Sequence, residues 1–558
     1  MGKVRHKKKL SRWKNIREAS VPTRQDQLNK LLADQDWEAV NKIIDNDFRD
    51  RALGTLDYDT LVTCGKVKIE VAEYDAAKSM LMAAIEIDPR STVAPVFLVD
   101  TFFKVKEFGR ARPLVQELRR AEPDNVQFKR LEFIISSNLD RSDVVLALFE
   151  DLVMEDCPEL YLNPEVLHAT INALMSDGRY DDAWGLIERF DLEASDHYAI
   201  RLSIANLLNV SGYRLEAIEW FNGLCEQYPD QKIWQWNRAL MRLSEGDLAG
   251  GWSDYECRWD WKEFPSPNRG LTLPRWSGES LEGKSILVSA EQGLGDQIMF
   301  SVVVAELLKL NPSRVRIEVN RKAIALFESW YPECEIREFV WGNAEIDREI
   351  TENFDFHSPM ASLCRMFMGS NEQINALSRR RLRLGQEERA SMLGAFNAKY
   401  LTKIGLSWRS HAVDGGRSAY YMSSKMAISL IESLPSEVGF VIVQYALTDE
   451  ERELFAKYPN VFVPEEDLFN DLILNAKYCA CCDLVVTAQT TLVHLAGLFS
   501  TPVVTWMSDY SWVYLGREDF PWFKDVHVIR GQNAWSKPKV VERILKILKT
   551  ALRLPLAS

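Results

Sequence analysis

The chain has 558 residues and a net charge of −13, a length that accommodates about three or four domains of ordinary size. Hydrophobic residues make up 46% and charged residues 27%, which excludes overall disorder. The acidic balance excludes a general nucleic-acid or anionic-membrane binder, and no apolar run reaches the ~18 residues that a membrane-spanning helix needs.

The first 21 residues depart from this balance. Lys3, Arg5, Lys7, Lys8, Lys9, Arg12 and Lys14 form a basic, flexible tail without the apolar core of a signal peptide. It reads either as a solvated tail or as a weak peripheral contact with anionic lipid. The nine cysteines and seven histidines show no paired metal-ligand spacing, so no metal site is expected. Cys479, Cys481 and Cys482 read as small core residues, and the expected compartment is the reducing cytoplasm.

From residue 22 to 265 the dominant signal is a repeat. Ala77 and Ala111 are 34 residues apart, as are Pro89 and Pro123, Ala183 and Ala217, and Gly212 and Gly246. A small residue lets two helices pack closely, and a proline ends the second helix of each pair. The rhythm is looser over 124–175. The period resembles the tetratricopeptide repeat and predicts an all-α helical solenoid. Such arrays present a protein-binding surface or act as a packing platform.

After Trp261 the pattern changes. Residues 266–398 and 399–536 alternate short β-branched runs with amphipathic stretches, which predicts two Rossmann-like α/β lobes. The expected strands are Ser285–Ala290, Arg314–Val319, Lys403–Trp408, Val438–Tyr445, Asp483–Ala488 and Pro502–Met507. The segment 537–558 is expected to be a helix packed on the lobes, with Val541, Ile544, Leu545, Leu548 and Leu552 on one face.

Three segments carry candidate chemistry. Glu291-Gln-Gly-Leu-Gly-Asp-Gln297 follows a strand and opens a helix. Gln292, Gly293, Gly295 and Gln297 form a loop a ligand can approach, and Asp296 sits where open α/β sheets bind ligands. Asp296 reads equally as a helix cap. Thr487-Ala-Gln-Thr-Thr-Leu-Val-His-Leu-Ala-Gly497 has the same strand–helix context. The N-terminus of its helix would suit a diphosphate, with Thr490 and Thr491 adding hydroxyl donors, while His494 one turn on reads more readily as a packing residue. The third segment comprises Trp408, Arg409 and Ser410, followed by Arg417. Here an arginine can neutralise phosphate.

Several motifs occur in order: Gly251-Trp-Ser-Asp-Tyr-Glu-Cys-Arg-Trp259, Leu273-Pro-Arg-Trp-Ser-Gly278, Leu281-Glu-Gly-Lys284, the Asp296 loop, Gly405-Leu-Ser-Trp-Arg-Ser410, Val443-Gln-Tyr445 and His494-Leu-Ala-Gly497. This string resembles the bacterial tetratricopeptide-repeat glycosyltransferases, whose catalytic half is similar to the lipopolysaccharide heptosyltransferases of glycosyltransferase family 9. The resemblance implies a GT-B fold, with a nucleotide-sugar donor on the second lobe and the acceptor on the first. It implies Asp296 as general base in an inverting, metal-independent transfer without a resident cofactor. It implies donor contacts at Trp408, Arg409, Ser410, Arg417, Gln444, Tyr445, Gln489, Thr490, Thr491 and His494. A protein docked by the repeats is the expected acceptor. The chain departs from the heptosyltransferase pattern at Gln489, where Asp-Thr is common, and at Cys257, where an aromatic residue is expected. The first departure motivates a second reading, an inactive GT-B-like scaffold whose repeats bind proteins.

Overall fold

The computed structural model of the chain describes residues 34–48, 53–139, 141–262, 264–266, 268–411, 421–508, 511–531 and 537–551. The basic tail, Arg417 and Leu552 lie outside the described residues. The chain divides into two compact units, Met1–Ala173 and Leu174–Ser558. No described helix is long and apolar enough to cross a membrane.

The first unit is built from antiparallel helix pairs, with Tyr58–Glu70 against Tyr74–Ile87 and Val93–Lys104 against Phe108–Ala121. Ala77 and Ala111 are fully buried where the helices of each pair meet. The first pair crosses so closely that a Cβ on Gly65 would lie 2.7 Å from Leu81 Cγ. Asp57 caps the first of these helices, accepting from Thr60 N at 2.9 Å. Pro89 and Pro123 each lie two residues past a helix end.

The turn inside each pair passes through the left-handed region, at Ala72 (φ 60) and Lys106 (φ 59) in the first unit. It does so again at Gly178 (φ 72), Gly212 (φ 90) and Gly246 (φ 84) in the second. The step from 106 to 178 exceeds two 34-residue periods by four, the length of the short helix Pro158–Tyr161. That insertion accounts for the loose rhythm over 124–175.

The second unit continues the helix pairs with Tyr198–Val210 against Arg214–Gln227 and Lys232–Ser244 against Leu248–Tyr255. Two parallel sheets follow. The first contains β1 (Ser285–Ser289), β2 (Arg314–Val319), β3 (Glu335–Glu338) and β4 (Phe356–Pro359), in the order β3-β2-β1-β4. The second contains β5 (Thr402–Ser407), β6 (Val438–Ile442), β7 (Val461–Phe462), β8 (Leu484–Thr487), β9 (Val503–Ser508) and β10 (Val526–Gly531), in the order β10-β9-β8-β5-β6-β7. The pairings between these strands are parallel, with Ile404 opposite both Phe440 and Leu484. Sheets of this kind carry helices on both faces, so their central strands are mostly apolar.

One core spans both sheets, joining Ile286 and Ile317 to Val441, Val485 and Val503, and a further core packs on the second sheet alone. Ile286, Val288 and Ile317 pack in the first, and Ile404, Leu406 and Val486 in the second. The terminal helix Lys537–Ala551 buries Val540, Ile544 and Leu548 in the second core, while Val541 and Leu545 are only partly buried. The seam therefore runs one residue ahead of the row at 541 and 545. Cys479, Cys481 and Cys482 are all buried.

Candidate active site

The two glycine- and threonine-containing turns lie at the carboxyl ends of β1 and β8, where parallel strands leave a crevice. After β1 the chain turns at Gln292, which adopts a left-handed conformation (φ 58). Its backbone N–H donates to Ser266 Oγ at 2.6 Å, and its Nε2 donates to the Tyr255 hydroxyl at 2.6 Å. The helix Leu294–Phe300 then begins. Asp296 Oδ2 accepts from Gly293 N at 3.0 Å. This is half of a capping box, since glycine has no side chain to reciprocate. Gln297 points the other way. It is buried, and its Oε1 accepts from Asn320 N at 3.0 Å.

Behind this loop lies a buried ion pair. Arg258, fully enclosed, forks onto Glu291 at 2.8 and 3.0 Å and also reaches Glu256 at 2.8 Å. Burial opposes the charge of Arg258, but Glu291 and Glu256 outweigh it and raise its pKa. Glu291 also accepts from Ala361 N at 2.7 Å. Bidentate geometry and full satisfaction are what make such a buried pair tolerable.

After β8, Thr490 stands at the N-cap of the helix Thr491–Leu498, accepting from Leu492 N at 3.4 Å. Gln489 Oε1 accepts from Thr505 Oγ1 at 3.4 Å. His494 is buried one turn on, beside Phe520 and Phe523 at 6.1 and 5.7 Å between ring centroids. Burial lowers its pKa to about 3, so the ring is neutral, and its Nδ1 has no hydrogen-bond partner. The two turns touch, for a Cβ on Gly295 would lie 3.3 Å from Thr491 Oγ1 and 3.6 Å from His494 Cδ2. Glycine at 295 keeps that approach open.

A cavity of about 530 Å³ opens between the turns. Gln292, Gly293, Gly295 and Asp296 line it from the first lobe. Ser410, Tyr445, Gln489, Thr490, Thr491 and His494 line it from the second. The Tyr445 hydroxyl donates to Ser410 Oγ at 3.3 Å. Tyr445 also borders a second cavity of about 360 Å³, which Gln444, Arg452, Glu465, Glu466 and Asp467 help to line. Phe469 lines that cavity as well, and Lys322 from the first lobe sits over its ring at 3.4 Å.

Other expected residues are turned elsewhere. Trp408 is buried, and its backbone N–H donates to Gln444 Oε1 at 3.0 Å while its indole donates to Glu451. Gln444 Oε1 also accepts from Ser407 Oγ at 2.9 Å and Arg409 N at 3.1 Å, so it holds the end of β5. Arg409 does not line the larger cavity. Its guanidinium is held by Glu451 at 2.5 Å and by Ala446 O at 3.1 Å. Among the described residues no lysine or arginine lines that cavity.

The sequence reading did not single out Trp236, Leu240, Trp512 and Val513, which also line the cavity. Nor did it foresee the Arg258–Glu291 pair. The only trace of that pair was the Gly251–Trp259 segment preceding the glycine loop.

No family model matches the chain. Protein FlbA of Caulobacter vibrioides is 28% identical over 311 residues, covering 53% of this chain and 52% of that protein. The chain thus spans about half the length of this curated relative. Among solved structures, a family 9 glycosyl transferase of Veillonella parvula is 13% identical, covering 49% of this chain and 98% of its own, at a TM-score of 0.36. ADP-heptose lps heptosyltransferase II of E. coli is 17% identical, covering 48% and 98%, at 0.35. A tetratricopeptide repeat protein of Parabacteroides merdae is 17% identical, covering 36% and 77%, at 0.31. The fold rests on the strand order and helix pairs of this chain.

Proposed function

We propose that the chain is an inverting glycosyltransferase that moves a sugar from a nucleotide-sugar donor to an acceptor hydroxyl. The observation that carries this reading is the pairing, across one cavity, of the Asp296 carboxylate with the N-terminus of the helix Thr491–Leu498. A diphosphate at that terminus would face the first-turn N–H groups, of which Leu492 N–H is shared with Thr490 Oγ1, and the Thr490 and Thr491 hydroxyls. The adjoining cavity beside Tyr445 suits the nucleoside, whose ribose hydroxyls can donate to its carboxylates.

In the reaction the acceptor oxygen attacks the anomeric carbon as the bond to the diphosphate breaks. Asp296 takes the hydroxyl proton, and the leaving group's new charge falls on the helix terminus. Attack and departure on opposite faces invert the anomeric centre. Neutral His494 adds no charge to the cavity. Residues 22–265 would dock a protein acceptor, 266–398 would form the acceptor-side lobe and 399–536 the donor-side lobe. The reading needs no resident cofactor and assigns the activity to the cytoplasm.

A second reading, an inactive scaffold, draws support from Gln489 and from the lack of a cation among the described lining residues. Thermal unfolding against UDP, GDP, ADP and CMP compounds and their sugars separates the two. Binding to the native state raises the Tm by mass action. The enzyme reading expects a shift with one nucleotide family. No shift at millimolar ligand would favour the scaffold.

A further inference from the structure

We propose that the last turn of the repeats is a positioning element of the active site. There Gly246 meets Gly516 and fixes where Trp512 stands, and through Trp512 it sets the spacing between Asp296 and the donor-side lobe. This rests on the reading of Asp296 given above.

Residues 511–517 follow β9, and Ser511, Trp512 and Val513 among them line the cavity. The segment is held from several sides. Within the second lobe, Trp522 Nε1 donates to Val513 O at 2.8 Å. From the first lobe, Asn371 and Asn375 accept from the Arg517 guanidinium at 2.7 and 2.9 Å. The Trp512 ring stacks on Phe300, the last residue of the Asp296 helix, at 6.2 Å. From the repeats comes the turn between the helices Lys232–Ser244 and Leu248–Tyr255. A Cβ on Gly516 would lie 2.5 Å from both Gly246 Cα and Gly246 N, and 2.9 Å from the Glu245 carbonyl carbon.

This contact, rather than the turn, is what a side chain at 246 would disturb. Gly246 is left-handed (φ 84), but Ala72 and Lys106 occupy the corresponding turns at φ 60 and 59, so the turn itself accepts a side chain. Gly212, one period earlier, is also left-handed (φ 90), and a Cβ there would meet nothing within 4 Å. A Cβ on Gly246 would already touch Gly516 Cα at 3.7 Å and Leu515 O at 3.8 Å, so a β-branched side chain would crowd that backbone. Where bare backbone meets bare backbone, no flexible side chain absorbs a shift. Leu515 is fully buried, and its N–H donates to Trp512 O at 3.0 Å, which carries the shift to the cavity wall.

Trp512 belongs to the second lobe and rests on a first-lobe ring, so moving it changes the distance between base and donor. The diphosphate end of the site, at the helix Thr491–Leu498, lies within the second lobe. Turnover should therefore suffer more than nucleotide affinity.

The test uses the full chain with UDP-, GDP-, ADP- and CMP-sugars, reading hydrolysis rates and, by calorimetry, the Kd of the matching nucleotide. Gly516→Ala and Gly246→Val should each lower kcat about tenfold or more, with Kd changed by less than about threefold. Gly212→Val imposes the same left-handed strain at an open turn and should leave both near wild type. If Gly516→Ala fails to fold, the comparison of Gly246→Val with Gly212→Val decides. Equal kcat in that pair, or a loss of nucleotide affinity as large as the loss of kcat, overturns the inference while the enzyme reading stands. If the wild type turns over none of the nucleotide sugars, the enzyme reading falls, and this inference with it.

Discussion

The two turns that face the cavity share a strand–loop–helix plan but differ in how they manage charge. The turn after β1 keeps one carboxylate, Asp296, in the cavity and anchors itself through a buried arginine–glutamate pair behind it. The turn after β8 brings no formal charge. It offers a helix end, two hydroxyls and a neutral histidine. A carboxylate can take a proton, whereas a helix terminus can only stabilise an anion. On the proposed reading, the difference would put base chemistry on one lobe and leaving-group chemistry on the other.

The sharpest way to break that assignment is Asp296→Asn. It should lower turnover by about 10²–10⁴-fold while leaving the nucleotide-induced Tm shift in place. Turnover near wild type would remove Asp296 from the role of base. Arg258→Met tests the anchor. It leaves Glu291 buried without its partner and should destabilise the protein by about 3–5 kcal/mol, read from the urea midpoint.

Acid should separate the two turns by titration. The pKa of His494 falls from 6.5 to about 3 in the fold, as does that of His357 on β4. Their contribution is complete above the unfolded value of 6.5 and is lost as pH falls toward 3, because the unfolded chain binds the protons first. Stability should drop by roughly 1 kcal/mol per pH unit for each histidine across that window, and His494→Gln should flatten part of the slope. The smallest effect is expected of Gly295→Ala. Its Cβ would press on Thr491 Oγ1 at 3.3 Å, so nucleotide affinity should fall a few-fold with little change in the Tm of the free protein. An unchanged affinity would mean that the contact between the turns is irrelevant to the donor.

Some of this was legible in the sequence because it is local. A glycine loop between a β-branched run and an amphipathic stretch dictates a strand–turn–helix, so the positions of Asp296 and Thr490 followed from neighbours in the chain. The short strands β3, β4, β7 and β10 were not foreseen. Glu335-Ile-Arg-Glu338, for example, has no apolar run and is held by pairing with β2. The role of Arg409 was likewise unreadable, since Glu451, which holds its guanidinium, lies 42 residues away.

The 34-residue helical rhythm, the α/β alternation after it and the two strand–turn–helix junctions were written in the local pattern of residues. All of these depend on residue spacing within one or two elements. Which charges reach the cavity, and which are neutralised before they get there, was settled by contacts between distant elements. Those contacts also put Trp236 and Leu240 of a repeat helix in the wall. Those outcomes depend on side chains meeting across tens to hundreds of residues, where packing and ion pairing choose among partners that no local pattern distinguishes.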